Sequence, residues 1–166
     1  MNGERAVTFV DNHDTGRDVS KYNAPITKRK MQAYTYILTR EAGKPMLYWK
    51  DYYQNGYQAK LKKILEARKY YAYGPAREVK NNGNSVYSYL RTGLPDKPRT
   101  GLVAMISIGA SGEIVTKKIQ TNKPLTTFYD YTGNIKQPVT TDEEGYARFK
   151  VRKSEAEGWS IWVPYK

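Results

Sequence analysis

The chain has 166 residues, 39% of them hydrophobic and 13% aromatic, with 16 tyrosines. That supplies an apolar core, but a complete eight-stranded α/β barrel takes about 250 residues. Absence of cysteine excludes disulfides and thiolate metal sites and leaves localisation open. No apolar run reaches the ~20 residues of a membrane-spanning helix, which argues against a membrane partner, and Met1 to Arg5 shows no apolar signal region. The formal charge of +12 is spread as +7 through Gly74 and +5 beyond it, a distribution that argues against a nucleic-acid footprint. Its densest clusters, Lys28-Arg29-Lys30 and Lys60 to Lys63, fall at polar positions of helical patterns and are expected to be solvated.

In chain order, Val7-Thr8-Phe9-Val10 reads as a strand buried on both faces, and it runs into Asp11-Asn12-His13-Asp14-Thr15. Such strands carry chemistry at their carboxyl ends. Residues 16–24 lack an apolar period and read as a loop passing over that end. Met31, Tyr34, Ile37 and Leu38 recur at helical spacing, with Thr27 as the expected amino cap and Gly43 and Pro45 as the stop. Pro45-Met46-Leu47-Tyr48-Trp49 reads as a second buried strand, and strand, helix, strand makes a right-handed crossover unit. Tyr57, Leu61, Ile64, Leu65 and Arg68 predict a second helix ending near Gly74. From Pro75 the period changes to strand-like runs at 85–91, 102–108, 113–119, 126–131, 146–151 and 159–163, which predict an antiparallel sandwich.

Phe9-Val10-Asp11-Asn12-His13-Asp14-Thr15 resembles the last conserved motif of the α-amylase family of glycoside hydrolases, which closes the seventh barrel strand beneath the sugar site. Residues 33–40 resemble the helix that follows it, and segments 101–106, 129–134 and 160–164 resemble the β-domain after the barrel. The resemblance implies an α/β plus all-β chain: the last two strand-helix units of a (β/α)8 barrel in residues 1–74, then an antiparallel β-sandwich domain in residues 75–166. It implies retaining hydrolysis of α-1,4-glucans, with Asp14 stabilising the distorted sugar and His13 binding the same sugar. A retaining glycosidase also needs a nucleophile and an acid roughly 5 Å apart. The family draws both from earlier strands, so this chain alone is expected to be a catalytically incomplete fragment. Its expected partners are an α-glucan or maltooligosaccharide, and either the missing amino-terminal barrel part in trans or another copy of itself, because lone barrel strands leave open edges.

Each site residue has a plainer role available. His13 can be a structural hydrogen-bond donor and Asp14 a loop cap. Asp11 is read as a brace for the strand end, while Asn12 stands between brace and sugar ligand. Trp49, with Tyr48, Tyr52 and Tyr53, either stacks on glucose rings or packs between barrel and sandwich. Trp159 and Trp162, three apart, point to opposite faces, one core and the other open to exposure as a sugar platform. No metal or other cofactor is expected in this chain. Calcium remains possible in the complete enzyme, but the Lys80 to Asn84 loop lacks carboxylates and Ile108 stands where an acidic ligand would help. Two further readings are a non-catalytic carbohydrate-binding or interaction module derived from an amylase, and a basic nucleic-acid binder.

Overall fold

A computed structural model describes residues 3–16, 24–80 and 85–165. After a 3-10 turn at Gly3–Arg5, strand β1 (Val7–Phe9) pairs in parallel with β2 (Lys44–Met46), Val7 opposite Lys44 and Phe9 opposite Met46. Helix α1 (Lys30–Thr39) lies between them in sequence, and α2 (Trp49–Tyr53) and α3 (Gln58–Tyr71) follow. The expected strand at 45–49 is therefore shorter, since its last residue opens α2. Thr27 is not the cap of α1. Arg29 takes that place in the left-handed region (φ 56°) with no side-chain cap, its guanidinium bound to Glu155 at 3.1 Å. Thr35 and Thr39, both buried on α1, donate their hydroxyls to the carbonyls four residues back, at 2.7 and 2.6 Å, which satisfies them inside the core.

The remaining strands are β3 (Ala76–Val79), β4 (Val86–Arg91), β5 (Leu102–Ser107), β6 (Ile114–Gln120), β7 (Thr127–Asp130), β8 (Val139–Thr140), β9 (Tyr146–Arg152) and β10 (Trp159–Pro164). Six of them form an antiparallel sheet in the order β3-β4-β5-β10-β7-β8, and β6 pairs antiparallel with β9. All six expected strands are present, and β3 and β8 are additions. Both are edge strands of the larger sheet, one short and polar and the other only two residues long, so neither carries an apolar alternation.

The central strands β4, β5 and β10 of the larger sheet are covered on both faces, by different partners. Val86, Leu90, Val103, Met105, Phe128 and Trp162 pack against Ile119, Ala147, Phe149 and Val151 of the β6-β9 pair. In that layer the Phe149 ring stands edge-on to Phe128 (5.4 Å) and to Trp162 (5.7 Å), the favoured aromatic geometry. On the other face Tyr89, Leu102, Ala104, Trp159, Ile161 and Val163 pack against Met31, Tyr34 and Leu38 of α1 and Leu61, Ile64, Ala67 and Tyr71 of α3. Alternate residues of β4, β5 and β10 thus enter two separate cores. Trp159 and Trp162 do point to opposite faces, but both are buried, so neither is a surface platform.

The passage from α3 into the sheet is stitched along its length. Carbonyls of Tyr71, Tyr73 and Pro75 accept from the amides of Gly101, Gly93 and Thr92 at 2.7–3.1 Å, and Arg91 Nε donates to the Gly74 carbonyl at 2.8 Å. Gly74 is required here, with φ +76° and with a Cβ placed only 2.1 Å from the Gly93 carbonyl oxygen.

By contrast, β1 and β2 are not buried on both faces: Val7, Phe9 and Met46 are 60%, 46% and 39% exposed. Among the described residues nothing pairs with or covers their open sides.

Candidate functional site

The chain leaves β1 through buried Val10 and Asp11 and turns at Asn12 to Gly16. Asn12 holds this turn: its side-chain oxygen accepts from the amides of Asp14 (2.9 Å) and Thr15 (3.0 Å), and its own amide donates to Thr15 Oγ1 at 3.0 Å. That use of a short amide side chain fixes the backbone locally and commits the oxygen of Asn12 to bracing. The turn carries His13 and Asp14 outward, with side chains 81% and 54% exposed and His13 Nε2 3.4 Å from Asp14 Oδ1. A carboxylate and an imidazole side by side, both facing solvent, suit recognition of adjacent hydroxyl groups.

Beneath the turn lies a buried ionic knot. Lys30 Nζ sits 2.7 Å from Asp11 Oδ2 and 2.7 Å from Asp51 Oδ1, and all three residues are almost inaccessible to water. Tyr34 Oη donates to Asp51 Oδ2 at 2.6 Å and Asn55 Nδ2 to Asp51 Oδ1 at 2.9 Å, while the Ile26 amide and Thr15 Oγ1 donate to Asp11 Oδ1. Burial pulls the Lys30 pKa down, but the hydrogen bonds and charges of the two aspartates outweigh it and hold the ammonium above its ordinary value. Desolvation and the Asp51 carboxylate push the Tyr34 phenol far up. The knot ties β1, α1 and α2 together directly under the His13-Asp14 turn, and it borders a cavity of about 340 Å³ lined by Gly16, Tyr48 and Tyr57 as well.

Asp11 therefore does brace the strand end. Lys30, expected on a solvated face, is instead its buried counter-ion. Nothing in the local pattern separates it from neighbouring Lys28 and Arg29, because its partner Asp51 lies 21 residues away. Asp51 is the functional-site residue that sequence reasoning missed, with no period or motif to mark it.

Trp49 opens α2 rather than ending a strand; it is 52% exposed, with its ring edge-on to Tyr48 at 6.5 Å. Tyr48 is buried against the end of the site turn, where a Cβ on Gly16 would come within 2.4 Å of its ring. Gly16 thus allows the segment bearing Trp49 to close against the turn bearing Asp14. Among the described residues no group of three or more His, Cys, Asp or Glu side chains could hold a metal ion. At Ser107-Ile108-Gly109 the Ile108 side chain is exposed, and the buried Ser107 hydroxyl accepts from the Gly109 amide at 3.2 Å. Residues 17–23 and 81–84, which make up most of the expected loop over the site and most of the Asn-rich loop, lie outside the described residues.

Similarity to known proteins extends over nearly the whole chain, from the strand that carries His13 and Asp14 through the antiparallel sheet. The family model for the alpha-amylase C-terminal domain matches residues 102–163, from β5 through β10. Alpha-amylase of Geobacillus stearothermophilus is 36% identical across 97% of this chain and 30% of its own length. That of Bacillus licheniformis is 34% identical across 89% of the chain and 30% of its length, and cytoplasmic alpha-amylase of Escherichia coli is 30% identical across 95% and 34%. A crystal structure of alpha-amylase from Geobacillus thermoleovorans, complexed with acarbose, covers 98% of this chain with TM-score 0.63 and 17% identity, a likeness of fold over 39% of that protein. The chain belongs with the α-amylases and corresponds to the carboxyl-terminal part of an enzyme of that family, spanning about 30% of the length of the first two curated relatives.

Proposed function

We propose that this chain supplies the transition-state-stabilising half of a retaining α-1,4-glucan hydrolase, and that residues 1–74 are the last two strand-helix units of its barrel. The exposed Asp14 beside His13, on a turn anchored by the Lys30 knot, is the observation that carries this reading. The Asp14 carboxylate accepts hydrogen bonds from adjacent sugar hydroxyls. As the ring flattens toward an oxocarbenium ion those hydroxyls become more acidic, so the bonds strengthen where they accelerate the reaction. His13 binds the same sugar. The other carboxylates at this strand end, Asp11 and Asp51, are committed to Lys30 and serve as neither nucleophile nor acid. Those two groups come from the remainder of the barrel, which also covers exposed Val7, Phe9 and Met46, and the chain alone does not hydrolyse glucan. Any calcium of the complete enzyme is held mainly by that remainder.

The test replaces the corresponding part of the G. stearothermophilus relative with this chain. The graft is expected to hydrolyse starch, and Asp14→Asn to lower its kcat/KM by roughly a hundredfold or more, the equivalent of several kcal/mol of transition-state stabilisation. A folded graft that is inactive, or one indifferent to Asp14→Asn, refutes the proposal. Exposed Trp49 and Tyr53 on α2 support a second reading, a non-catalytic glycan-binding module. Maltoheptaose affinity of the chain alone that survives Asp14→Asn and disappears in Trp49→Ala favours it.

A further inference from the structure

The helix layer over the six-stranded sheet is incomplete. Helices pack 8–10 Å apart and strands about 4.8 Å, so one helix covers roughly two strands and a six-stranded face takes about three helices. Two are present. On one side α1 reaches β4, with Tyr36 against Tyr87 at 5.6 Å and the Arg40 guanidinium over Tyr89 at 5.6 Å, and it also touches β5 and β10. Next to it α3 packs on β10. Beyond α3 come β7 and β8, and there the same face of the sheet carries Tyr129 and Tyr131, only half-buried.

These rings form a shelf. Tyr71 at the end of α3 meets Tyr131 at 5.5 Å, Tyr131 meets Tyr129 at 6.0 Å, and Tyr129 meets Tyr165 at 5.4 Å. Tyr70 and Tyr165 are 52% and 64% exposed, and a cavity of about 310 Å³ lies against Tyr70, Tyr131, Arg99 and Pro164. Three cations stand at the shelf: Lys69, whose ammonium is 5.2 Å from the Tyr70 ring, Lys63, which donates to the Thr132 carbonyl next to Tyr131, and Arg99 on the cavity wall, while the Glu66 carboxylate accepts from Tyr131 Oη at 3.0 Å. The shelf continues the core shared by α1 and α3, and its surround is basic.

We propose that this tyrosine shelf seats a third helix, amphipathic with an acidic flank, contributed by the part of the enzyme this chain lacks. The inference rests on the reading of the chain as part of a larger hydrolase, and it adds a contact surface on the β7 side of α3, separate from the open strands β1 and β2.

Hydroxyl-radical footprinting tests it without an activity readout. Tyr129, Tyr131 and Tyr165 are expected to be oxidised roughly fivefold less in the graft than in the chain alone, as half-exposed rings become buried, while Tyr146 on the outer face of β9 is unchanged. Equal oxidation in both overturns the inference. So does protection of the chain alone by millimolar maltoheptaose, which would make the shelf a sugar site. A protected but inactive graft fails the catalytic proposal alone, and an active, unprotected graft fails only this one. Where the graft does not fold, co-expression of the two pieces with an affinity tag on this chain gives a second reading. Tyr165→Asp is expected to cut recovery of the partner severalfold, and unchanged recovery overturns the inference.

Discussion

Strands β1 and β10 are both short apolar segments, yet they have opposite environments. All six residues of β10 are buried, between helices on one face and the β6-β9 pair on the other. The outward residues of β1 stand 60% and 46% exposed. What differs is which partners the chain provides. Apolarity states that a strand is to be covered and leaves open by what; among the described residues β10 is covered on both faces, while β1 has one pairing neighbour in β2 and an ionic knot beneath its carboxyl end.

The sharpest way to break this comparison is to damage the well-covered region. Trp162→Ala removes the largest fully buried side chain, together with its indole bonds to the Lys150 carbonyl and Ser160 Oγ, and is expected to cost about 4 kcal/mol by chemical denaturation. Lys30→Met strikes the other region by leaving Asp11 and Asp51 buried without a counter-ion, at a cost of about 3 kcal/mol in the same measurement. Its pH dependence identifies the cause. Because the folded pKa of Lys30 is raised, the ammonium contributes in full below its ordinary value of 10.5, and the contribution is lost as pH rises through the higher folded value. The gap between native and Lys30→Met proteins therefore narrows in strong alkali; a gap constant with pH refutes the ionic explanation. The smallest effect is expected for Phe9→Ser, under about 0.5 kcal/mol in the chain alone, as for ordinary surface positions. In the graft the same substitution is expected to cost about 2 kcal/mol, since the ring is then enclosed. Equal costs in both settings dissolve the contrast between β1 and β10.

Legibility in the sequence followed the range of the interactions. Helices α1 and α3 and six of the strands declare themselves through local periods, and the Asn-His-Asp turn through a contiguous motif. Helix α2 is not legible, and its first residue Trp49 reads as the end of a strand, because five residues, Trp49 to Tyr53, are too few to show a helical period. The burial of Lys30 is not legible because it depends on Asp11 and Asp51, 19 and 21 residues away. Alternation places Trp159 and Trp162 on opposite faces but does not reveal that both faces are covered, because the β6-β9 pair over one of them joins strands far apart in sequence.

The stitched passage through Gly74 has a mechanical consequence. A junction bonded to the sheet through the carbonyls of Tyr71, Tyr73, Gly74 and Pro75 has little slack with which to swing, so heat is not expected to release the helices while the strands remain ordered. Calorimetry of this chain is expected to give one endotherm, with calorimetric and van't Hoff enthalpies in agreement. A protease offered the 71–75 stretch should find no cleavable hinge until the whole molecule has melted.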